Sequence, residues 1–406
     1  MPDKLRVALF SSEYPPYTFG GLGTHVVEVT SALADSVAFE MFVPARRAYH
    51  EPPPTIRLHH VPTPRARTNV EFWIRYCQNA VKMAVERLSA APVDLIHCHD
   101  WMTGLAGLGL RAAFGIPFII NVHLPQIAGA PYHMENLGVV GADLVLVNSR
   151  AVQQELADRG LPIRRIGVVP NGVDPNTYTP APDWPRDDGY ILFVGRFVAQ
   201  KGIDVLLRAF GAALERCTEA RLLIVGDGDL ELYFRRVAHH LGFPHRVTFV
   251  GWQTGSALLE LYQKAQFVVV PSYYEPFGIV ALEAMACGRP VIAARVGGLE
   301  EIIEDGVVGY LTPSGDYLRM AHRMAELLLN PARREAMGRA GRERSTAFSW
   351  DKVGQATRAL YDEMAGQGTP PYPTQMAALE EPLLATLKPN VRRAARKLLN
   401  EARQMG

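Results

Sequence analysis

The feature that most constrains the fold of this chain is a regular alternation of short apolar segments with amphipathic ones. A first series of apolar segments lies at 5–10, 38–43, 93–98, 116–122 and 144–148. A second series lies at 190–194, 221–225, 246–250, 267–270 and 290–293. Short apolar runs separated by helical stretches are typical of parallel strands joined by crossover helices. The sequence therefore predicts an α/β protein with two doubly wound, Rossmann-like halves.

A Pro- and Asp-rich segment separates the two series. Residues 180–189 read Pro-Ala-Pro-Asp-Trp-Pro-Arg-Asp-Asp-Gly, a composition that favours a linker. We therefore predict one domain at 1–182, a second at 183–347 and a terminal helix at 348–365. Residues 366–406 are predicted to form a mobile Gly- and Pro-rich linker followed by a basic helical tail. Any ligand is expected in the central cleft between the two halves.

Bulk composition excludes several classes of protein. A length of 406 residues suits two or three domains, and a net charge of +1 gives no general attraction to nucleic acid. The four cysteines lack C-x-x-C spacing, which is typical of a reducing compartment. The sequence shows neither a signal peptide nor an apolar run of membrane-spanning length, so we expect a cytoplasmic protein.

The segment 275–283 carries the clearest chemical signal. Glu275-Pro276-Phe277-Gly278 follows the apolar run 267–270, and the strong helix formers after Ile279 lead to a second carboxylate, Glu283. Two carboxylates thus bracket a strand-to-helix turn at the carboxyl edge of a parallel sheet, where such sheets bind ligands. Gly278 and the helix start offer backbone N–H groups to an anion, and carboxylates accept hydrogen bonds from sugar hydroxyls.

This segment resembles the E-x7-E signature of retaining glycosyltransferases of the GT-B fold, in family 4 with its glycogen and starch synthase relatives. The turn Pro170-Asn171-Gly172-Val173-Asp174 is similar to a family motif as well. The resemblance implies two Rossmann-like domains facing a cleft, an acceptor-binding N-terminal one and a nucleotide-sugar-binding C-terminal one. It further implies that Glu275 holds hexose hydroxyls, that Glu283 holds the ribose, and that the terminal helix crosses back to the first domain.

Two cations precede the helix that follows the first strand of the second half. Arg196 and Lys201 stand in the pattern G-R-x4-K-G. Fixed cations stabilise a departing diphosphate, Arg as a bidentate fork and Lys as a point charge. Alone, the pair could be two surface cations. The family resemblance implies that it binds the donor diphosphate.

A glycine-rich loop follows the first strand of the first half. Gly20 and Gly21 would let the backbone approach a phosphate, so we predict that they bind the donor. The preceding stretch, with Ser12, Glu13 and Tyr14, resembles a segment of the glycogen synthase branch in which the acidic residue faces the acceptor. Glu13 is therefore predicted to bind the acceptor.

The segment 97–105 reads His-Cys-His-Asp-Trp-Met-Thr-Gly-Leu and resembles another motif of that branch. Asp100 could accept from a sugar hydroxyl and Trp101 could stack on a sugar face, so both are predicted to bind the acceptor. The histidines with Asp100 could instead suggest a metal site, but we predict no metal, and His97 is expected to be a packed strand residue. His123 ends the next strand, where the resemblance implies a contact with the transferred hexose; a buried core histidine is the alternative.

These residues predict an enzyme that moves a hexose, with glucose favoured by the resemblance, from a UDP-, ADP- or GDP-sugar to a carbohydrate hydroxyl. We predict no cofactor beyond that co-substrate, and assign His123, Arg196, Lys201 and Glu275 to catalysis by positioning and electrostatics. A lipid-linked or specialised-metabolite acceptor at a membrane stays open. So does a nucleotide-sugar epimerase, although it would need different acid and base carboxylates. A glycan phosphorylase would need a lysine for pyridoxal phosphate in a motif that this sequence lacks.

The segment 388–403 is a basic helical tail. Its short apolar stripe favours a solvated face or an oligomer contact over binding to an anionic membrane. The predicted helix at 70–90, flanked by Arg65, Arg67 and Arg75, is a second place where peripheral membrane contact could occur.

Overall fold

A computed structural model describes residues 4–18, 20–63, 65–182, 189–367, 381, 384, 385, 387 and 389–405. The chain folds into two compact units. Unit 1 comprises Met1–Pro170 and Val353–Gly406, and unit 2 comprises Asn171–Lys352. The predicted linker core at 183–188, most of the predicted mobile linker, and Phe19 of the glycine-rich loop lie outside the described residues.

The regular elements alternate along the chain as the sequence predicts. The strands are β1 Leu5–Phe10, β2 Val37–Pro44, β3 Ile56–Val61, β4 Leu95–His99, β5 Phe118–Val122, β6 Leu144–Val147, β7 Ile166–Val168, β8 Tyr190–Val194, β9 Leu222–Val225, β10 Val247–Gly251, β11 Ala265–Val270, β12 Val291–Ala294 and β13 Gly309–Thr312. The α-helices are α1 Gly21–Ala32, α2 Asn69–Ala90, α3 Trp101–Phe114, α4 Gly129–Gly141, α5 Arg150–Ala157, α6 Ile203–Leu214, α7 Glu231–His240, α8 Gly255–Lys264, α9 Ile279–Ala286, α10 Leu299–Ile302, α11 Tyr317–Leu329, α12 Pro331–Ser345, α13 Trp350–Gly366 and α14 Pro389–Met405.

Unit 1 contains a parallel sheet with the strand order β3-β2-β1-β4-β5-β6-β7. Strands β4 and β5 are buried along their whole length and β1 over its last four residues, because helices cover both faces of such a sheet. The strand order reverses between β1 and β4, and open α/β sheets bind ligands at such a reversal, beyond the carboxyl ends of the strands.

Two helices from the last part of the chain complete unit 1. In α13, Tyr361 is fully buried and Arg358 donates to the carbonyl oxygen of Ser36 at 2.5 Å. Helix α14 packs against α2 and α3.

The apolar stripe of α14 is longer than the sequence pattern indicates. Its buried members in the core of unit 1 are Val391, Ala395, Leu398, Leu399 and Ala402. A methyl group on Gly109 of α3 would lie 3.3 Å from Leu398 Cδ2, so the small residue gives α14 room to pack. The opposite face carries exposed basic side chains, Arg393, Arg396 and Lys397, as the prediction of a solvated face requires.

Unit 2 repeats this architecture with the strand order β10-β9-β8-β11-β12-β13, again all parallel. Its order reverses between β8 and β11. The amphipathic helices α6 and α11 pack together on one face of the sheet, and α9 and α12 pack together elsewhere in unit 2. None of the helices in the described part of the chain is both long and apolar enough to cross a membrane.

Candidate active site

The predicted donor residues of unit 2 lie in the two loops at its strand-order reversal. The loop after β8 carries Arg196 and Lys201, and the loop after β11 carries Glu275 and Gly278. Because β8 and β11 are hydrogen-bonded neighbours, both loops leave the same edge of the sheet side by side. Residues that are far apart in sequence therefore come together where a ligand is expected.

Lys201 and Glu275 form an ion pair at the centre of this region. Lys201 Nζ lies 2.6 Å from Glu275 Oε2, and the Ser272 hydroxyl donates to the same oxygen at 3.0 Å. Glu275 is only 9% exposed, so the pair sits in a shielded setting where charge interactions are strong. Both contacts use Oε2, and a lysine ammonium has three donors. The arrangement leaves Glu275 Oε1 and Lys201 able to contact a ligand.

The backbone around Glu275 is held by a glycine pair after β12. Gly298 N donates to the carbonyl oxygen of Glu275 at 3.1 Å. A methyl group on Gly297 would lie 2.1 Å from that oxygen, and Gly297 has a φ of +52°. Only glycine satisfies both conditions without strain. The position of Glu275 is thus fixed by the neighbouring strand connection as well as by its own loop.

Gly278 forms the entry to α9, with Ile279 as the first helical residue. Its φ is +107°, and an added methyl group would lie 2.6 Å from Leu299 Cδ2. The first N–H groups of a helix have no partner within the helix and carry its positive end, which suits an anion. The structure explains why glycine stands here and places these N–H groups beside Glu275.

Glu283 lies one turn into α9 and meets a tyrosine from α8. The Tyr262 hydroxyl donates to Glu283 Oε2 at 2.6 Å. Burial raises the pKa of Glu283, and hydrogen bonds from Tyr262 and Tyr178 counteract that rise. Hydrogen bonds from two tyrosine hydroxyls therefore hold the Glu283 carboxylate in one orientation. No sequence motif indicates these contacts.

Arg196 is exposed on the loop after β8. It stands two residues beyond the end of β8, so its guanidinium can swing toward a ligand held at Lys201. Lys201 closes a short 3₁₀ turn, Ala199–Lys201, and Gly202, with a φ of +64°, is the N-cap of α6. The two cations therefore differ, Lys201 being fixed by an ion pair and Arg196 facing solvent.

In unit 1 the loop after β1 carries Glu13 and the glycine pair. Glu13 Oε2 accepts from Gly23 N at 3.1 Å, so this carboxylate satisfies a donor in the first turn of α1. Gly20 precedes α1 and Gly21 opens it. A methyl group on Gly20 would meet nothing within 4 Å, so the space beside this backbone is open to a ligand.

Three histidines cluster beyond β4 and β5. His99 Nδ1 and His123 Nε2 lie 3.0 Å apart in a hydrogen bond, and Asn121 Nδ2 lies 2.9 Å from His123 Nε2. The His25 ring from α1 contacts the His123 ring edge-on, with centroids 4.6 Å apart. Burial lowers the pKa of His99 and of His123 well below the usual value, and the neighbouring histidines lower both further. His99 and His123 are thus neutral at pH 7.

One nitrogen from each of His25, His99 and His123 lies within 4.8 Å of the other two, so these residues could hold a metal ion. The neutral histidine is also the form that binds a metal. His123, which the sequence predicts to contact a sugar, could therefore bind a metal ion instead, together with His99 and His25. No sequence motif assigns a role to His25.

Asp100 is held by the backbone at the end of β5. Its Oδ1 accepts from His123 N at 2.6 Å, and burial raises the pKa of its carboxyl well above the usual value. Asp100 also has a φ of +58°, an uncommon conformation for a residue other than glycine. Trp101 opens α3 with 6% of its surface exposed. Both predicted acceptor residues thus lie at the strand-order reversal but offer little surface.

His97 lies beside this cluster, with its ring centroid 4.4 Å from that of His99, and it also contacts α13. Its Nδ1 lies 2.6 Å from the Tyr361 hydroxyl, and burial, with a smaller effect of His25, lowers the pKa of His97 to about 3. The prediction that His97 is a packed strand residue is confirmed.

Comparison with known proteins places the chain in a class. The family description "Glycosyltransferase Family 4" matches residues 19–177, and "Glycosyl transferases group 1" matches residues 176–344. A sucrose-phosphate synthase from Thermosynechococcus elongatus superposes with a TM-score of 0.80 and 27% identity, over 90% of this chain and all of that one. The fold is that of the GT-B glycosyltransferases.

Sequence relatives narrow the class to a family. A D-inositol 3-phosphate glycosyltransferase of Salinispora tropica is 31% identical over 86% of this chain and 82% of its own. A glycogen synthase of Mycobacterium tuberculosis is 27% identical over 88% of this chain and 94% of its own. The chain belongs to glycosyltransferase family 4 and resembles its glycogen synthase branch, as the motifs predicted.

Proposed function

We propose that this glycosyltransferase transfers a hexose, with glucose as the first candidate, from a nucleoside-diphosphate sugar to a hydroxyl of a sugar or glycan. We propose further that the anomeric configuration is retained. The observation that carries the proposal is the Lys201–Glu275 pair, 2.6 Å apart beside the start of α9. It puts a cation for a diphosphate and a carboxylate for sugar hydroxyls at one sheet edge.

The donor is expected to bind along the edge of unit 2. Lys201 and Arg196 would contact the diphosphate, and the N–H groups after Gly278 and at Ile279 would add further donors. Glu275 would hold hexose hydroxyls through Oε1, and Glu283 would accept from the ribose. In unit 1, Gly20 and Gly21 stay predicted phosphate-binding residues, because the space beside the Gly20 backbone is open.

In the proposed step the bond between the anomeric carbon and the diphosphate oxygen breaks, and its electron pair leaves with the nucleotide. The acceptor oxygen forms the new bond on the same face, and its proton passes to the departing phosphate oxygen. Lys201 and Arg196 stabilise the negative charge that develops on the diphosphate. No side chain acts as a covalent nucleophile, and no cofactor takes part in this scheme.

The acceptor is expected on unit 1. His123 is expected to contact the transferred hexose, and with its neutral neighbour His99 it provides donors and acceptors without net charge, which suits a carbohydrate. Glu13 and Trp101 flank the same strand-order reversal. Asp100 would act mainly by holding the His123 backbone, since its carboxylate already accepts from that N–H.

A phosphorylated sugar or polyol is a second candidate acceptor. The Arg46 guanidinium lies 4.7 Å from the ring centre of Tyr17, and Tyr17 packs edge-on against Tyr49. Arg46 follows β2 and Tyr17 precedes the glycine pair, and a cation placed there would recognise a phosphate. Two of the compared proteins are named for a phosphorylated sugar or polyol.

A donor panel tests the proposal. UDP-, ADP- and GDP-hexoses are mixed in turn with monosaccharides, oligosaccharides and phosphorylated sugars, and released nucleotide is measured. Mass spectrometry then identifies the product, and the anomeric coupling in its proton NMR spectrum reports the stereochemistry. Transfer with inversion would contradict the proposed mechanism. Nucleotide release with an isomerised free sugar and no glycoside would instead indicate an epimerase.

A further inference from the structure

We propose that Tyr262, together with Tyr178, is a positioning residue that orients the Glu283 carboxylate to accept hydrogen bonds from the ribose hydroxyls of the donor. The inference rests on the proposed function, in which Glu283 contacts the ribose. It assigns the discrimination between ribose and deoxyribose to two phenols rather than to Glu283 alone.

The contacts around Glu283 support this role. The Tyr262 hydroxyl donates to Glu283 Oε2 at 2.6 Å, and the Tyr178 phenol also hydrogen-bonds the carboxylate. The two rings meet edge-on with centroids 6.0 Å apart. Tyr262 is completely buried, whereas Glu283 is partly exposed. Tyr262 therefore has no surface for the nucleotide and would act through Glu283.

The chemistry of a carboxylate explains why two phenols matter. An ionised carboxylate has about four lone-pair sites and accepts hydrogen bonds at both oxygens, whereas the protonated form gives up part of that capacity to its own O–H. Burial of Glu283 disfavours the ionised form, and the phenols favour it. They also fix the plane of the carboxylate, so its remaining lone pairs point in one direction. To bind the vicinal diol of ribose, the carboxylate has to be ionised and has to keep a fixed orientation.

The neighbouring elements provide the rigidity that such a role requires. Tyr262 comes from α8 and Glu283 from α9, and α9 is packed against β11, β12 and α12. Tyr178 is anchored through its carbonyl oxygen, which accepts from Arg342 of α12 at 2.6 Å. The three side chains thus come from three separately anchored segments of unit 2.

Nucleotide binding to the full-length variants Tyr262→Phe and Tyr178→Phe tests the inference. Isothermal titration calorimetry measures the Kd of UDP, ADP or GDP, whichever binds, and of its 2′,3′-dideoxy form. We expect Tyr262→Phe to raise the Kd of the ribonucleotide about tenfold and to leave that of the dideoxy form unchanged. Tyr178→Phe should act in the same direction.

Tyr310→Phe is the matched control, because the Tyr310 hydroxyl hydrogen-bonds Glu326 elsewhere in unit 2. The control variant should change the Kd of neither nucleotide. Its melting temperature is compared with that of Tyr262→Phe, so that a loss of stability common to both variants can be separated from a loss of binding. If Tyr262→Phe and Tyr178→Phe weaken both nucleotides equally, or neither, the tyrosines are merely structural and the inference is overturned. If the wild-type protein binds none of the nucleotides, the proposed function fails and this inference fails with it.

Discussion

The two units have the same architecture, yet they place opposite kinds of chemistry at equivalent positions. In unit 2 the loops at the strand-order reversal carry a charged pair, Lys201 and Glu275. In unit 1 the corresponding edge carries neutral imidazoles, and its two predicted site carboxylates, Glu13 and Asp100, accept from the backbone N–H groups of Gly23 and His123.

This contrast fits the roles proposed for the two edges. A departing diphosphate develops charge, and fixed cations in a shielded setting stabilise it strongly. A sugar hydroxyl carries no charge, and a network of neutral donors and acceptors suffices for it. The sheet therefore supplies the position, while a few side chains decide which partner is bound.

The largest effect on activity is expected from removing Lys201, the ion-paired cation of unit 2. Lys201→Ala should lower turnover by about 10²–10³, as loss of one such donor typically does. Steady-state kinetics with the donor found in the panel measures the effect, and Arg196→Ala should act in the same direction.

Lys264→Ala is the matched control for this experiment. Lys264 pairs with Glu260 at 3.1 Å on the exposed side of α8 and lies in the same unit. Exposed pairs contribute little, so this variant should keep its activity. Near-normal turnover of Lys201→Ala and Arg196→Ala would refute the proposal that these two cations stabilise the departing diphosphate.

The second test asks whether the carboxylate of unit 1 is structural. Asp100→Ala leaves the buried His123 N–H without its acceptor and should lower the free energy of unfolding by about 2 kcal/mol. Asp100→Asn keeps an oxygen acceptor and tolerates the positive φ, so it should lose less. Urea unfolding measures both.

Acceptor kinetics and nucleotide affinity complete that comparison. Nucleotide affinity should stay near the wild-type value in both variants, because the proposed donor residues lie mainly in unit 2. If Asp100→Ala kept full stability while its acceptor KM rose, Asp100 would contact the acceptor directly.

The third test uses the neutral histidines of unit 1. Burial, with a smaller effect of His25, lowers the pKa of His97 to about 3, below the roughly 6.5 of an unfolded chain. Between these values the unfolded state binds one more proton than the folded state. Stability is therefore lost as pH falls below about 6.5, by about 1.4 kcal/mol per pH unit for this group.

His97→Asn removes that titration, so its stability relative to the wild type should improve on going from pH 7 to pH 5. Urea unfolding at the two pH values gives the difference. An unchanged difference would mean that folding does not lower the pKa of His97.

The smallest expected effect is that of a chelator. We expect activity to survive EDTA, because the proposed scheme uses His123 toward a sugar. Loss of activity that zinc or manganese restores would assign the cluster of His25, His99 and His123 to a metal instead.

Most of the sheet could be predicted from the sequence because central parallel strands are continuous apolar runs. Strand β1 has the predicted bounds, and β8 does as well. Strands β3, β7 and β13 lie at sheet edges: β3 carries the exposed residues Arg57 and His60, β7 is only half-buried, and the short strand β13 begins with a glycine. They lack the apolar run that marks the others, and so they were not predicted.

The site was predictable only where a motif spans one loop. The pairing of Lys201 with Glu275 follows from two such loops on neighbouring strands. The contact of Tyr262 with Glu283 joins two helices, and His25 reaches His123 from α1. Contacts of this kind depend on how helices pack on the sheet, and no local pattern of residue types encodes them.

The packing of α14 against α2 and α3 has a consequence for synthesis. Unit 1 is built from Met1–Pro170 and Val353–Gly406, so the whole of unit 2 leaves the ribosome between its two parts. At roughly 5–20 residues per second, the apolar surface that Leu398 and Leu399 later cover stays open for about ten to forty seconds. Unit 2 is thus the first to be complete, although it lies later in the sequence, and unit 1 can finish its core only after unit 2 has been synthesised.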